Sequence, residues 1–92
     1  MNNTTEAYHA ISDATRRQIL DMLYTGNLTA GAIAERCRDI SRPAVSKHLA
    51  VLRRAGLVLA RKRGRERLYV LNAAPLKDIA DWVGIYRSRW YR

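Results

Sequence analysis

SRPAVSKHLAVLRRAGLV, residues 41–58, encodes a helix with two unlike faces and a signal at each end. Ser41 is a favoured N-cap, Pro43 falls in the first turn where a missing N–H is harmless, and Ala55-Gly56 is a C-terminal stop. At about 100° per residue, Val45, Leu49 and Leu52 line up on one side. Arg42, Ser46, Ala50 and Arg53 line up on the other, flanked by Lys47 and Arg54. One face suits a core. The other is basic and hydroxylated with a small alanine in its middle. A helix that reads the major groove of DNA needs those types: Arg to span the two acceptors of guanine, Ser for adaptable hydrogen bonds, Ala for close approach. An ordinary amphipathic helix with a solvated basic face has the same pattern, so the helix alone leaves both readings open.

The surrounding charge favours the first. Between Arg36 and Arg67 stand eleven Lys or Arg against two acids, Asp39 and Glu66, which accounts for the whole net charge of +9. The other sixty residues hold six bases and six acids. Solubility alone would scatter such charge; concentrating it on adjacent elements is the footprint of a polyanion binder. Downstream of the helix, Leu57 to Lys62 and Arg67 to Leu71 read as strands joined by a turn over Arg63-Gly64-Arg65-Glu66. Arg61, Lys62, Arg63, Arg65 and Arg67 crowd this ribbon. Like charges so placed repel, and folding gives no reason for them. Protection of a strand edge against aggregation is the competing structural role.

Upstream, Thr4 to Ile11 forms a short helix presenting Ala7, Tyr8 and Ile11. Asp13 caps a second helix, Ala14 to Tyr24, with Ile19, Leu20 and Leu23 at core spacing. Thr29 caps a short third helix with Ile33 and Ala34 facing inward. After Pro75 the pattern is helical to the chain's end. Helices, then a hairpin, then a helix predict a mostly helical α+β fold, a single domain over residues 1–92 in which a helical cluster carries a two-stranded β-hairpin wing. No apolar run approaches the length of a membrane span, and MNNTTEAYHA lacks the pattern of a secretory signal. One cysteine, Cys37, excludes an intrachain disulfide framework and fits a cytoplasmic setting.

The run from Ser41, continued by RKRGRERLYVLN from Arg61, resembles the recognition helix and wing of the ArsR family of winged-helix transcriptional repressors. The likeness extends to DATRRQILDML from Asp13 and PLKDIADWVGIYRSRW from Pro75, about nine-tenths of the chain, and is greatest for the branch of small autorepressors. It implies a winged helix-turn-helix with a C-terminal dimerisation helix, acting as a homodimer on a palindromic, double-stranded DNA operator. Ser41, Arg42, Ala44, Ser46, Lys47, His48 and Arg53 on the helix, and Arg61, Arg63, Arg65 and Arg67 on the wing, become the expected DNA contacts. For His48, at the border of the apolar face, three roles stay open: base reading, phosphate contact and helix packing. Arg16 and Arg17 match the family's T-R-R segment, either as caps or as phosphate contacts.

The metal-sensing members of that family place paired cysteines at the start of the third helix, where this chain has Thr29 and Gly31. A second family site needs Asp and His on the last helix; Asp78 and Asp81 are present, but no histidine follows His48. One Cys and two His without paired spacing predict no metal and no cofactor. Cys37 between Arg36 and Arg38 is either a redox-sensitive thiol or a buried helix-end residue. No nucleophile–base pair or phosphate-cradling glycine loop is found, so an enzyme is not expected. A small-molecule effector stays unassigned, as does a protein-docking role for the same fold. In the last segment Leu76, Ile79, Val83, Tyr86 and Trp90 follow a heptad stripe flanked by Trp82. Together with Tyr8 and Ile11 they are the expected dimer interface.

Overall fold

The computed structural model describes residues 3–91. The chain runs α1 (Asn3–Ile11), α2 (Ala14–Tyr24), α3 (Ala30–Arg36), α4 (Arg42–Arg54), β1 (Val58–Arg63), β2 (Glu66–Leu71) and α5 (Leu76–Gly84), followed by a 3-10 turn at Arg87–Arg89. This is the expected α+β winged helix-turn-helix. The side chains of Asp13, Thr29 and Ser41 each accept a hydrogen bond from the backbone N–H three residues on, at 3.0–3.2 Å. These caps satisfy donors that helix geometry leaves orphaned.

The end of α4 aims the wing. Gly56 adopts φ 75°, and the amides of Gly56 and Leu57 donate back to the carbonyls of Arg53 and Leu52. That is a Schellman motif, with the apolar contact it commonly carries supplied by fully buried Leu52 and Leu57. Asn72 closes the return: its Nδ2 donates to the carbonyl of Gly56 at 2.7 Å and its amide to that of Leu57 at 2.8 Å. Between these anchors β1 and β2 pair antiparallel from Val58↔Leu71 to Arg63↔Glu66. The strands are shifted slightly from expectation, β1 starting and ending one residue later and β2 starting one earlier. The turn is therefore only Gly64-Arg65, with Gly64 at φ 62°. A two-residue hairpin loop of that hand wants glycine first. Leu28 adds a bridge to Tyr69, tying the approach to α3 onto the wing.

The core gathers Ile19, Leu20 and Leu23 of α2, Ile33 of α3, Val45, Leu49 and Leu52 of α4, Leu57, and Val58 of β1. Ala7 and Ala10 of α1 are also fully buried, small enough to let the helices approach. Ile79 of α5 is 8% exposed and belongs to this same cluster.

The end of the chain departs from expectation. The last helix does not continue to the end; α5 stops at Gly84. Past it, the amides of Ile85, Tyr86, Arg89 and Trp90 bond three residues back, tightening the chain into 3-10 turns. Gly84 is the physical reason: mid-helix glycine costs about 1 kcal/mol relative to Ala, and β-branched Ile85 follows it. The heptad stripe from Leu76 to Trp90 therefore is not one helical face.

Candidate nucleic-acid interface

α4 presents the two faces that its sequence demands. Val45, Leu49 and Leu52 are buried, whereas Ser41, Arg42, Ser46, Lys47, Ala50, Arg53 and Arg54 are exposed and Ala44 is half-buried. The Ser41 hydroxyl accepts from the Ala44 amide, so it serves the helix terminus first. Arg61, Arg63, Arg65 and Arg67 on the wing are all exposed. Among the described residues, none of the side chains of Arg42, Lys47, Arg53 or these four wing arginines forms an ion pair or hydrogen bond.

Arg42 is turned toward the wing side of α4. A Cβ built on Gly31 would lie 3.6–3.7 Å from Cζ, Nη1 and Nη2 of Arg42. The guanidinium thus lies over the first turn of α3, an ordinary van der Waals distance from the place a Gly31 side chain would occupy. Thr29 caps α3 through its hydroxyl, and Gly31 lies beside Arg42 in the wall of one cleft. A cleft of about 510 Å³ opens there, between Thr29, Gly31, Glu35, Arg42, Arg65 and Arg67. A second of about 340 Å³ lies between Arg53 of α4 and Lys62, Arg65 and Arg67 of the wing. Lys62, in the basic run but not among the expected contacts, joins this second cleft because the register of β1 turns it toward α4.

His48 points elsewhere. Its Nδ1 lies 3.4 Å from Nη1 of Arg16 and 3.9 Å from Oδ2 of Asp13. Of the three roles left open, the geometry favours packing against the start of α2. Arg16 also donates through Nε to the carbonyl of Ala10 at 2.7 Å and through Nη2 to that of His9 at 3.1 Å, and Arg17 donates to Ile11 at 2.7 Å. Both arginines cap the C-terminus of α1, where cations favour the helix dipole. The Arg16 amide, with the guanidinium charge beside it, holds the Asp13 carboxyl below the ordinary carboxylate range.

Cys37 does not have the setting of a redox thiol. It is buried at the C-cap of α3, and burial, with Asp39 second, pushes its thiol pKa up. The lowering expected from Arg36 and Arg38 does not prevail, because both flanking residues are exposed while the sulfur is inside. On α5, Asp81 accepts a 2.9 Å bond from Lys77. Among the described residues no group of three His, Cys, Asp or Glu converges as a metal site would require. No described helix is long and apolar enough to cross a membrane.

A second surface lies on α1 and α5. Trp82 meets Tyr8 edge-on at 5.9 Å and Tyr86 at 5.4 Å, yet Trp82 and Tyr86 each stay 50% exposed. Val83, Ile85, Trp90 and Tyr91, in and after α5, are exposed as well. Tyr8 and Ile11 are half-buried beside it, as is Leu76. Ile79, expected in an interface, is turned into the protomer's own core. Tyr86 and Trp90 sit on the turns beyond Gly84, with Arg87 stacked 5.0 Å from the Trp90 ring.

Comparison with known proteins agrees with this architecture. A family model for a helix-turn-helix domain matches residues 11–60. The transcriptional repressor SdpR of Bacillus subtilis (strain 168) is 43% identical over 83 residues, covering 90% of this chain and 88% of that protein. The structure of an ArsR-like transcriptional regulator from Rhodococcus sp. RHA1 superposes with a TM-score of 0.83 at 34% identity, covering 96% of this chain and 80% of that one. The solution structure of the homodimeric winged helix-turn-helix DNA-binding domain of Mb0332 from Mycobacterium bovis, a possible ArsR-family regulator, gives 0.73 at 26% identity, covering 94% and 79%. With a basic α4, a charged wing and an aromatic α1–α5 face on that shared fold, the chain belongs to the ArsR family of winged-helix DNA-binding transcriptional regulators, a family of regulators and not of enzymes.

Proposed function

We propose that this protein is a homodimeric, sequence-specific repressor that occupies a palindromic operator in cytoplasmic DNA, with its own promoter among the targets. The observation that carries this reading is the row of unpaired cations on α4 and the wing, facing away from the core that fixes both elements. α4 enters the major groove and the wing reaches the adjacent backbone or minor groove. Phosphate contacts from the wing supply affinity, and side chains of α4 supply discrimination. The α1–α5 face pairs two protomers about a two-fold axis, an isologous contact in which the same patch meets itself. Its aromatic composition is that of interface cores, and the homodimer named for Mb0332 is the relative that supports it. Two recognition helices would then stand roughly 34 Å apart, one turn of DNA, matching a palindrome.

No metal or cofactor enters the mechanism. A redox-responsive version through Cys37 is disfavoured by the burial of its sulfur. Footprinting on the DNA upstream of the protein's own gene, with sedimentation of the free protein, tests the reading. Two protected half-sites about one turn apart and a dimeric mass are expected. Binding that ignores sequence would point instead to a winged helix that docks proteins.

A further inference from the structure

The two clefts beside the wing share Arg65, Glu66 and Arg67 in their walls, so they adjoin. Taken together as one channel, they follow the hairpin from Gly31 and Glu35 of α3 with Arg42 at one end to Arg53 and Lys62 at the other. In a duplex, a major groove and its neighbouring minor groove are divided by one sugar-phosphate strand. A protein that puts a helix in the first and a hairpin at the second must pass that strand between them.

Resting on the DNA-binding reading above, we propose that this channel carries one backbone strand, and that Arg42 and Arg53 grip its phosphates there instead of reading bases. Three observations converge. The Arg42 guanidinium lies over the Gly31 side of α3, and both residues line the first cleft. Arg53, eleven residues on, comes within about 20° of Arg42 around the helix and lines the second cleft with Lys62. The side chains of these cations, with Arg65 and Arg67, have no ion-pair partner among the described residues. Base discrimination then falls to Ser46, Ala50 and Lys47, exposed on the same side of α4 and turned progressively away from Arg53, by about 20°, 60° and 120°. This moves the expected guanine-spanning arginine off the groove floor. Glu35 and Glu66 also line the channel. Their carboxylates oppose a phosphate and hold affinity down, which makes Glu66 a second, independent handle.

The test uses the full chain and two probes: a duplex enriched by the wild-type protein from a random-sequence pool, and an unselected duplex. Arg42→Ala should weaken binding to both by a similar factor, about tenfold, and repeat enrichment with the variant should return the wild-type motif. Its slope of log affinity against log salt should flatten by about 1.8, one phosphate per subunit in a dimer. Glu66→Gln should tighten binding to both duplexes severalfold. Loss of preference at one symmetric pair of base positions in the Arg42→Ala motif would overturn the proposal and return Arg42 to the bases. An unchanged salt slope would overturn it as well, by removing Arg42 from the backbone. Should the wild-type protein enrich no motif, the DNA-recognition reading itself fails, a result separate from either outcome for the variants. Arg42 is exposed, so thermal melting at the wild-type temperature confirms that the variant is folded.

Discussion

Replacing Arg63 and Arg65 together by alanine strips the wing's tip of charge and leaves the core alone. Both side chains are exposed, without a partner among the described residues, and beside a turn whose geometry depends on Gly64, which is kept. If each guanidinium neutralises one phosphate, a dimer loses four contacts, and the slope of log affinity against log salt flattens by about 3.6. Over a rise from about 50 to about 200 mM salt, the variant's affinity should therefore fall about 150-fold less than that of the wild type. Fluorescence anisotropy on an enriched duplex at several salt concentrations measures this directly. Sequence preference should survive, since phosphate contacts carry no base information. Melting temperature should not drop, because surface changes of this kind stay within about 0.5 kcal/mol and like-charge crowding is relieved. A double variant with the wild-type salt slope would show that the wing tip does not touch the backbone.

Other consequences are as direct. Trp82→Ala with Tyr86→Ala should shift the protein to monomer in sedimentation, because truncating a buried interface aromatic costs about 2 kcal/mol or more; Ile79 remains to hold α5, so circular dichroism should stay helical, and a persisting dimer would place the interface elsewhere. Asp13 has a folded pKa below its unfolded one, so its contribution to stability is present above the ordinary carboxylate range and lost as pH falls toward the folded value. Asp13→Asn keeps a cap acceptor and should flatten that acid limb in pH-dependent melting; an unaltered limb would discharge Asp13 from the role. Cys37 should resist thiol reagents at neutral pH until the protein unfolds, and rapid labelling of the native state would contradict its burial. Zn(II), As(III) and Cd(II) at modest excess should leave DNA affinity unchanged, and a stoichiometric site in calorimetry coupled to DNA release would refute this.

Local chemistry alone determined most of the architecture. Asp13, Thr29 and Ser41 announce three helix starts, Gly56 and Gly64 mark the two places where the backbone must take positive φ, and the 3.6-residue spacing of Val45, Leu49 and Leu52 separates the core face from the exposed basic face. These are legible because each depends on neighbours a few residues away. Tertiary structure decided what depends on distant partners. Arg16 and Arg17 belong to the end of α1 because the chain folds back to offer them free carbonyls. His48 turns to Asp13 and Arg16, 35 and 32 positions upstream in the chain. Ile79 enters the core although its heptad spacing suggested an interface, and Gly84 breaks the stripe that spacing had drawn. Arg42 comes beside Gly31, in the wall of one cleft, only when α3 and α4 pack. Helix periodicity says which residues share a side; only packing says what that side meets.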